Sequence, residues 1–162
     1  MRLVALGAAL VLASALTAPA SGGATTTCTI KGTSQSDDLR GTAGRDVICG
    51  KGGNDVIDGR GGNDLVLGGT GDDTLDGGGG DDVLKGSYGA DEFVDFYGKD
   101  HLYGGRGNDM CMNGRDGHGG DRLDGGPGSD GYNVDAGDTR VNFEYLSNDP
   151  KVCAMWDGHG PK

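Results

Sequence analysis

The residues with the most chemical potential in this chain are aspartates. Asp37, Asp46, Asp55, Asp64, Asp73, Asp82, Asp91, Asp100 and Asp109 are spaced by nine without a break. After a three-residue insertion, Asn113-Gly114-Arg115, the spacing resumes with Asp121 and Asp130. Carboxylates brought together at a short pitch repel one another strongly. Glycines around them leave backbone carbonyls unscreened by side chains. A ring of carboxylate and carbonyl oxygens is what Ca²⁺ prefers, because it takes six to eight hard oxygen ligands at about 2.3–2.6 Å. Mg²⁺ is less suited, since it demands a tighter octahedron and keeps its water.

The elements that must position these carboxylates are short. Eleven nine-residue units run from Gly32 to Asn133, each with Asp at its sixth position. A glycine precedes that Asp by two in every unit except the first, where Gln35 stands instead. Two residues after the Asp comes Leu39, Ile48, Ile57, Val66, Leu75, Leu84, Phe93, Leu102, Cys111, Leu123 or Tyr132. The first six residues of a unit, rich in Gly, Asn and Asp, predict a tight turn. The last three predict a short strand whose middle residue points inward and whose neighbours point outward. One such strand is too short to stand alone. Stacking solves this: two units make one coil, and successive coils pair their strands into two parallel sheets about 4.8 Å apart from rung to rung. The residues at position eight then form a thin core between the sheets.

This pattern closely resembles the RTX family, the hemolysin-type calcium-binding repeats, with consensus G-G-x-G-x-D-x-U-x. Units such as Gly59-Arg60-Gly61-Gly62-Asn63-Asp64-Leu65-Val66-Leu67 and Gly77-Gly78-Gly79-Gly80-Asp81-Asp82-Val83-Leu84-Lys85 carry the resemblance. It implies an all-β fold, a right-handed parallel β-roll (β-solenoid) of eleven nonapeptide half-turns with capping ends. It also implies Ca²⁺ as the cofactor, held between each turn and the next turn on the same side, with the eleven aspartates as ligands. Eleven turns paired in this way allow at most nine sites. The best-formed sites are expected between Gly50 and Lys85. The missing early glycines weaken the first unit, Tyr88 and Asp95-Phe96-Tyr97 disturb two later turns, and the 113–115 insertion is expected to break the stack.

Composition agrees and excludes other classes. The chain has 162 residues, 36 of them glycine, and a formal charge of −11. That charge disfavours nucleic acid and anionic membrane as partners. Collagen is excluded because the glycines do not recur strictly every third residue, and a flexible linker would not hold apolar residues in fixed phase. No EF-hand loop, H-E-x-x-H, G-x-S-x-G or P-loop signature is present. His101 falls at an outward strand position and His118 in a turn. His159, Asp157 and Glu144 in the tail share no recognisable catalytic spacing. The chain therefore reads as a non-enzyme.

The N-terminus reads as a secretory signal peptide over residues 1–20, with Arg2, an apolar run Leu3–Leu16 and an A-x-A cleavage site at Ala18-Pro19-Ala20. Residues 21–31 are an expected N-terminal cap, 32–133 the roll, and 134–162 a C-terminal cap or tail. Four cysteines in an exported chain suggest two disulfides. Extending the register backward puts Ile30 at an inward position beside the strand of Val47 and Cys49, which favours Cys28–Cys49. Cys111 would point into the core, and Cys153 could reach it if the tail folds back. Val47, Leu65, Leu67 and Val83 form an apolar outward stripe, read either as covered by the tail or as a docking surface. The functional expectation is a secreted, extracellular calcium-binding protein that folds on Ca²⁺ and serves as a structural or interaction module, with no membrane span in the mature chain. The alternative is a glycan- or ice-binding solenoid on a calcium scaffold.

Overall fold

The computed structural model describes residues 26–94, 97–114, 119–134 and 136–143. Residues 1–20, read above as a signal peptide, and His118, His159, Asp157, Glu144 and Cys153 lie outside this range. The described chain is an all-β parallel solenoid of about six turns. One sheet has seven strands: β1 (Ile30–Lys31), β3 (Val47–Gly52), β5 (Leu65–Thr70), β7 (Val83–Tyr88), β9 (His101–Arg106), β11 (Arg122–Asp124) and β13 (Thr139–Val141), in that order. The other has six: β2 (Asp38–Arg40), β4 (Val56–Asp58), β6 (Thr74–Asp76), β8 (Glu92–Val94), β10 (Met110–Gly114) and β12 (Tyr132–Val134), again in chain order. Consecutive strands alternate between sheets, so each strand pairs with the one two units away, as Val47↔Leu65↔Val83↔His101 illustrates.

The core is the column expected from position eight. Ile48, Ile57, Val66, Leu75, Leu84, Phe93, Leu102, Leu123 and Tyr132 are buried between the sheets, with Ile30 and Leu39 packed against one end. Burying one such side chain is worth about 1.5–3 kcal/mol. The three-residue strands β2, β4, β6 and β8 therefore suffice only because every rung adds to the same column, while β3, β5, β7 and β9 run to six residues.

In β10 the described residue that joins the core is Met112, and the side chain of Cys111 lies outside the described ones. The register between β8 and β10 shifts between Met110 and Asn113, so β10 carries an extra residue, a bulge. One expectation needs correction: the 113–115 insertion does not break the stack. Across it, Leu102 still pairs with Leu123, and Met112 pairs with Tyr132. The bulge in β10 takes up one of the extra residues, and the rungs on either side stay in register.

The structure also runs beyond the last repeat unit. β13 pairs with β11 through Arg122↔Thr139, Leu123↔Arg140 and Asp124↔Val141. Phe143 then packs edge-on against Tyr132, ring centroids 4.8 Å apart, and covers the end of the core. At the opposite end, Cys28 and Cys49 form a disulfide with their Cα atoms 5.9 Å apart, tying the segment before β1 to β3. The apolar stripe is present: Val47, Leu65 and Val83 align across β3, β5 and β7, with Leu67 in the adjacent column, all half-buried. His101 is exposed, as its outward position requires.

Candidate metal centre: two ladders of aspartate

Each repeat aspartate sits at the end of a turn, immediately before the strand that the turn feeds, except Asp130, which Gly131 separates from β12. Asp37 is half-buried, and the other ten are buried. Their arrangement is a hydrogen-bonded relay. The Asp37 amide donates to Asp55 Oδ1 (2.9 Å), Asp55 to Asp73 (2.8 Å), Asp73 to Asp91 (3.0 Å), Asp91 to Asp109 (3.0 Å) and Asp109 to Asp130 (2.9 Å). On the other edge the Asp46 amide donates to Asp64 Oδ1 (2.7 Å), Asp64 to Asp82 (2.7 Å), Asp82 to Asp100 (2.9 Å) and Asp100 to Asp121 (2.8 Å). All eleven repeat aspartates thus fall into two ladders, one along each edge of the roll. From Asp55 and Asp64 onward, one carboxylate oxygen of each repeat aspartate is used to hold the turn beneath it.

The second carboxylate oxygen behaves differently. Oδ2 of Asp55, Asp64, Asp73, Asp82, Asp91 and Asp109 is buried and accepts no hydrogen bond. A buried charged oxygen without a donor is costly unless a cation pairs with it. The glycine opening each turn leaves space at this oxygen. A methyl placed on Gly59 would sit 2.7 Å from Asp64 Oδ2 and 2.6 Å from the Gly77 carbonyl oxygen of the neighbouring coil. Gly68, set against Asp73 Oδ2 and the Gly86 carbonyl, repeats this arrangement on the other edge. Carboxylate and carbonyl oxygens therefore face one small space, which only glycine keeps open. Among the described residues no three His, Cys, Asp or Glu side chains converge on a point. A cation here must accordingly draw on backbone carbonyls as well as carboxylate, the donor set that suits Ca²⁺. Bound Ca²⁺ would supply the positive charge that these oxygens lack.

Electrostatics point the same way. Burial raises the carboxyls of Asp73, Asp82, Asp91 and Asp109 to about 6, opposed by the amide that each accepts and reinforced by neighbouring carboxylates. Burial likewise raises Asp55 and Asp64. Asp76, outside the ladders, is also raised to about 6 by burial and by Asp58, its neighbour across β4 and β6. Asp46 is lowered, chiefly because the Thr42 amide donates to it.

A raised carboxyl in the fold favours the protonated form there more than in the unfolded chain, where aspartate titrates near 3.9. Its stabilising effect is complete below about pH 4 and is lost as pH rises through about 6. In excess chelator, acidification from about pH 7 to about 4.5 is therefore expected to increase the β-sheet circular dichroism signal. With Ca²⁺ present the same acidification is expected to weaken binding, by about tenfold per pH unit for each proton displaced. Paired dichroism and calcium titrations across this range check both signs.

Two features escaped sequence reasoning. Asp138 extends the second ladder: the Gly120 and Asp121 amides donate to its Oδ1 at 2.9 and 3.2 Å. Its offset from Asp121 is 17 residues rather than 18, which took it out of the counted phase. The Gly137-Asp138 pair ahead of Thr139 was the available signal. The second feature is an exposed polar ladder at position five, running in the opposite direction. The Asp72 amide donates to Asn54 Oδ1, Asp81 to Asn63, Ala90 to Asp72 and Lys99 to Asp81, at 2.9–3.3 Å. In Asp72-Asp73 and Asp81-Asp82 the second Asp belongs to the buried ladder, while the first serves as a backbone tie.

Parallel coils whose edges carry buried carboxylates with one oxygen that lacks a donor and faces glycine carbonyls define a calcium-binding β-solenoid. The family profile of the RTX calcium-binding nonapeptide repeat (4 copies) matches residues 31–66, 67–94 and 76–111, which together span half of the chain, and the protein belongs to that family. No curated protein and no solved structure matches the chain.

Proposed function

We propose that this is an exported, non-catalytic protein whose roll folds on Ca²⁺ and then acts outside the cell as a structural or interaction module. The row of buried Oδ2 atoms without donors carries the reading, because a buried carboxylate oxygen without a donor is costly unless a cation pairs with it. Export is supported by the leader-like run from Arg2 to Ala20 and by the Cys28–Cys49 disulfide, since such bonds persist in oxidising compartments. Low calcium before export would leave the roll open, and the higher calcium outside would close it. Sites of this kind are expected to bind at about 10⁻⁴–10⁻³ M, as extracellular modules do. Binding is expected to be cooperative, because one ion orders two stacked turns and so prepares the next site. Among the described residues no support for a glycan- or ice-binding face emerges. Thr33 and Thr42 direct their hydroxyls to their own aspartates, and Thr70 and Thr74 lie on different sheets.

The test is a calcium titration of the EGTA-treated chain, followed by far-ultraviolet circular dichroism. A sigmoidal gain of β-sheet signal over roughly the concentration range above is expected. A spectrum indifferent to calcium would refute the coupling of metal to fold.

A further inference from the structure

The two aspartates that open the ladders are built differently from the rest. Asp37 Oδ2 accepts the Thr33 amide (2.6 Å) and the Thr33 hydroxyl (2.9 Å). Asp46 Oδ2 accepts the same pair from Thr42, at 2.7 and 2.9 Å. Each hydroxyl oxygen also accepts an amide two residues on, from Gln35 (3.1 Å) and Gly44 (3.2 Å). The Oδ2 atoms that are buried without a donor in Asp55, Asp64, Asp73, Asp82, Asp91 and Asp109 are thus satisfied by protein in the first two turns.

Backbone hand explains the difference. Thr33 and Thr42 occupy position two of their units. In later turns that position is left-handed, with φ of 82° at Lys51, 74° at Arg60, 123° at Gly69, 92° at Gly78, 90° at Ser87 and 109° at Gly105. Thr33 and Thr42 are not among the positive-φ residues. A β-branched side chain resists the left-handed region. With φ of the ordinary sign, the amide and hydroxyl both turn onto the carboxylate. A second, separate feature occupies the space between turns one and three. Lys51 Nζ donates to the Gly32 carbonyl at 2.5 Å, so an ammonium stands against an oxygen of the kind that later turns leave for a metal.

We infer that Thr33, Thr42 and Lys51 make the first two turns calcium-independent, so that with the Cys28–Cys49 disulfide they form a cap already ordered before the metal arrives. Calcium-dependent turns begin at Asp55 and Asp64 and stack onto this cap, which gives them a template for the first rungs. The inference rests on the reading of the later aspartates as calcium ligands, but it can fail separately from it.

Two measurements on the full chain test it. In the first, the number of ions bound is compared for D37N, D46N and D73N. The first two are expected to match the parent, and D73N is expected to bind fewer. A loss of ions in D37N or D46N overturns the inference. In the second, hydrogen exchange is followed in excess EGTA. Amides at Thr33, Thr42 and β3 are expected to exchange at least about tenfold more slowly than those at Asp73 and Asp82, and T42G is expected to erase the difference at Thr42's own turn. Equal exchange along the whole chain in EGTA overturns it. Should no variant bind calcium at all, the metal reading of the ladders falls, while the exchange comparison still decides whether the cap exists.

Discussion

Gly80→Ala is expected to prevent the roll from closing at its middle coils, whereas Gly79→Ala, one residue away in the same turn, is expected to be nearly silent. Gly80 has φ of +134°, a region that side chains rarely enter, and a Cβ there would collide with the Gly62 carbonyl oxygen of the coil beneath. The amide of Gly80 also ties its turn to the next coil through the Tyr97 carbonyl at 3.1 Å. Strain of this kind costs about 1–3 kcal/mol for the backbone alone, and the backbone shift needed to relieve the collision adds to it. At Gly79 the nearest atom to an added Cβ is the Arg60 carbonyl oxygen, 3.9 Å away. A change there should stay within about 0.5 kcal/mol. Calcium titrations of the two variants by circular dichroism distinguish them: Gly80→Ala should need at least about tenfold more calcium to fold, the equivalent of about 1.4 kcal/mol. Equal midpoints would mean that close carbonyl packing between coils is unimportant.

Phe93→Ala is expected to have the next largest effect. Phe93 is the largest fully buried side chain of the column and pairs in register with Leu75 on β6. Large-to-small changes at such sites cost about 3–5 kcal/mol, from lost transfer energy and the cavity left behind. A core one residue wide cannot collapse around the hole, because the sheets on either side are held at a fixed spacing by the rungs above and below. Denaturant unfolding in saturating calcium should show a loss of that size. Tyr97→Ala provides the contrast, since that ring is 70% exposed and its removal should cost little. A small effect at Phe93 would show that calcium alone, not the apolar column, sets the roll's stability.

The parts of this fold legible in the sequence were those that repeat. Asp phase and the apolar residue two places later follow from a strand period of two and a coil of eighteen residues, so Leu84 and Phe93 could be placed inside without coordinates. Ile30 could be placed by extending that register backward, and the Cys28–Cys49 bond followed from it. What stayed hidden were local departures from the period. The bulge beside Met112 depends on how strand and turn share three extra residues, a choice made by packing. Asp138 was lost through a single residue's shift. Thr33 and Thr42 looked like weak repeats because glycine was missing. Their role emerged only when the amide and hydroxyl were seen on one carboxylate oxygen.

The alternation of ladders between edges sets a rule of parity for how such a chain can change length. Asp46 is bonded to Asp64 and not to Asp55, so neighbours in the sequence never share an edge. Gaining or losing eighteen residues lengthens or shortens the molecule by a full coil and leaves every later residue facing as before. Gaining or losing nine would send all that follows to the opposite flank, moving the Leu65–Val83 stripe and the Lys85–Tyr103 contact out of line with whatever precedes them. Evolution of this architecture by duplication should therefore proceed in pairs of units, with odd steps tolerated only near an end.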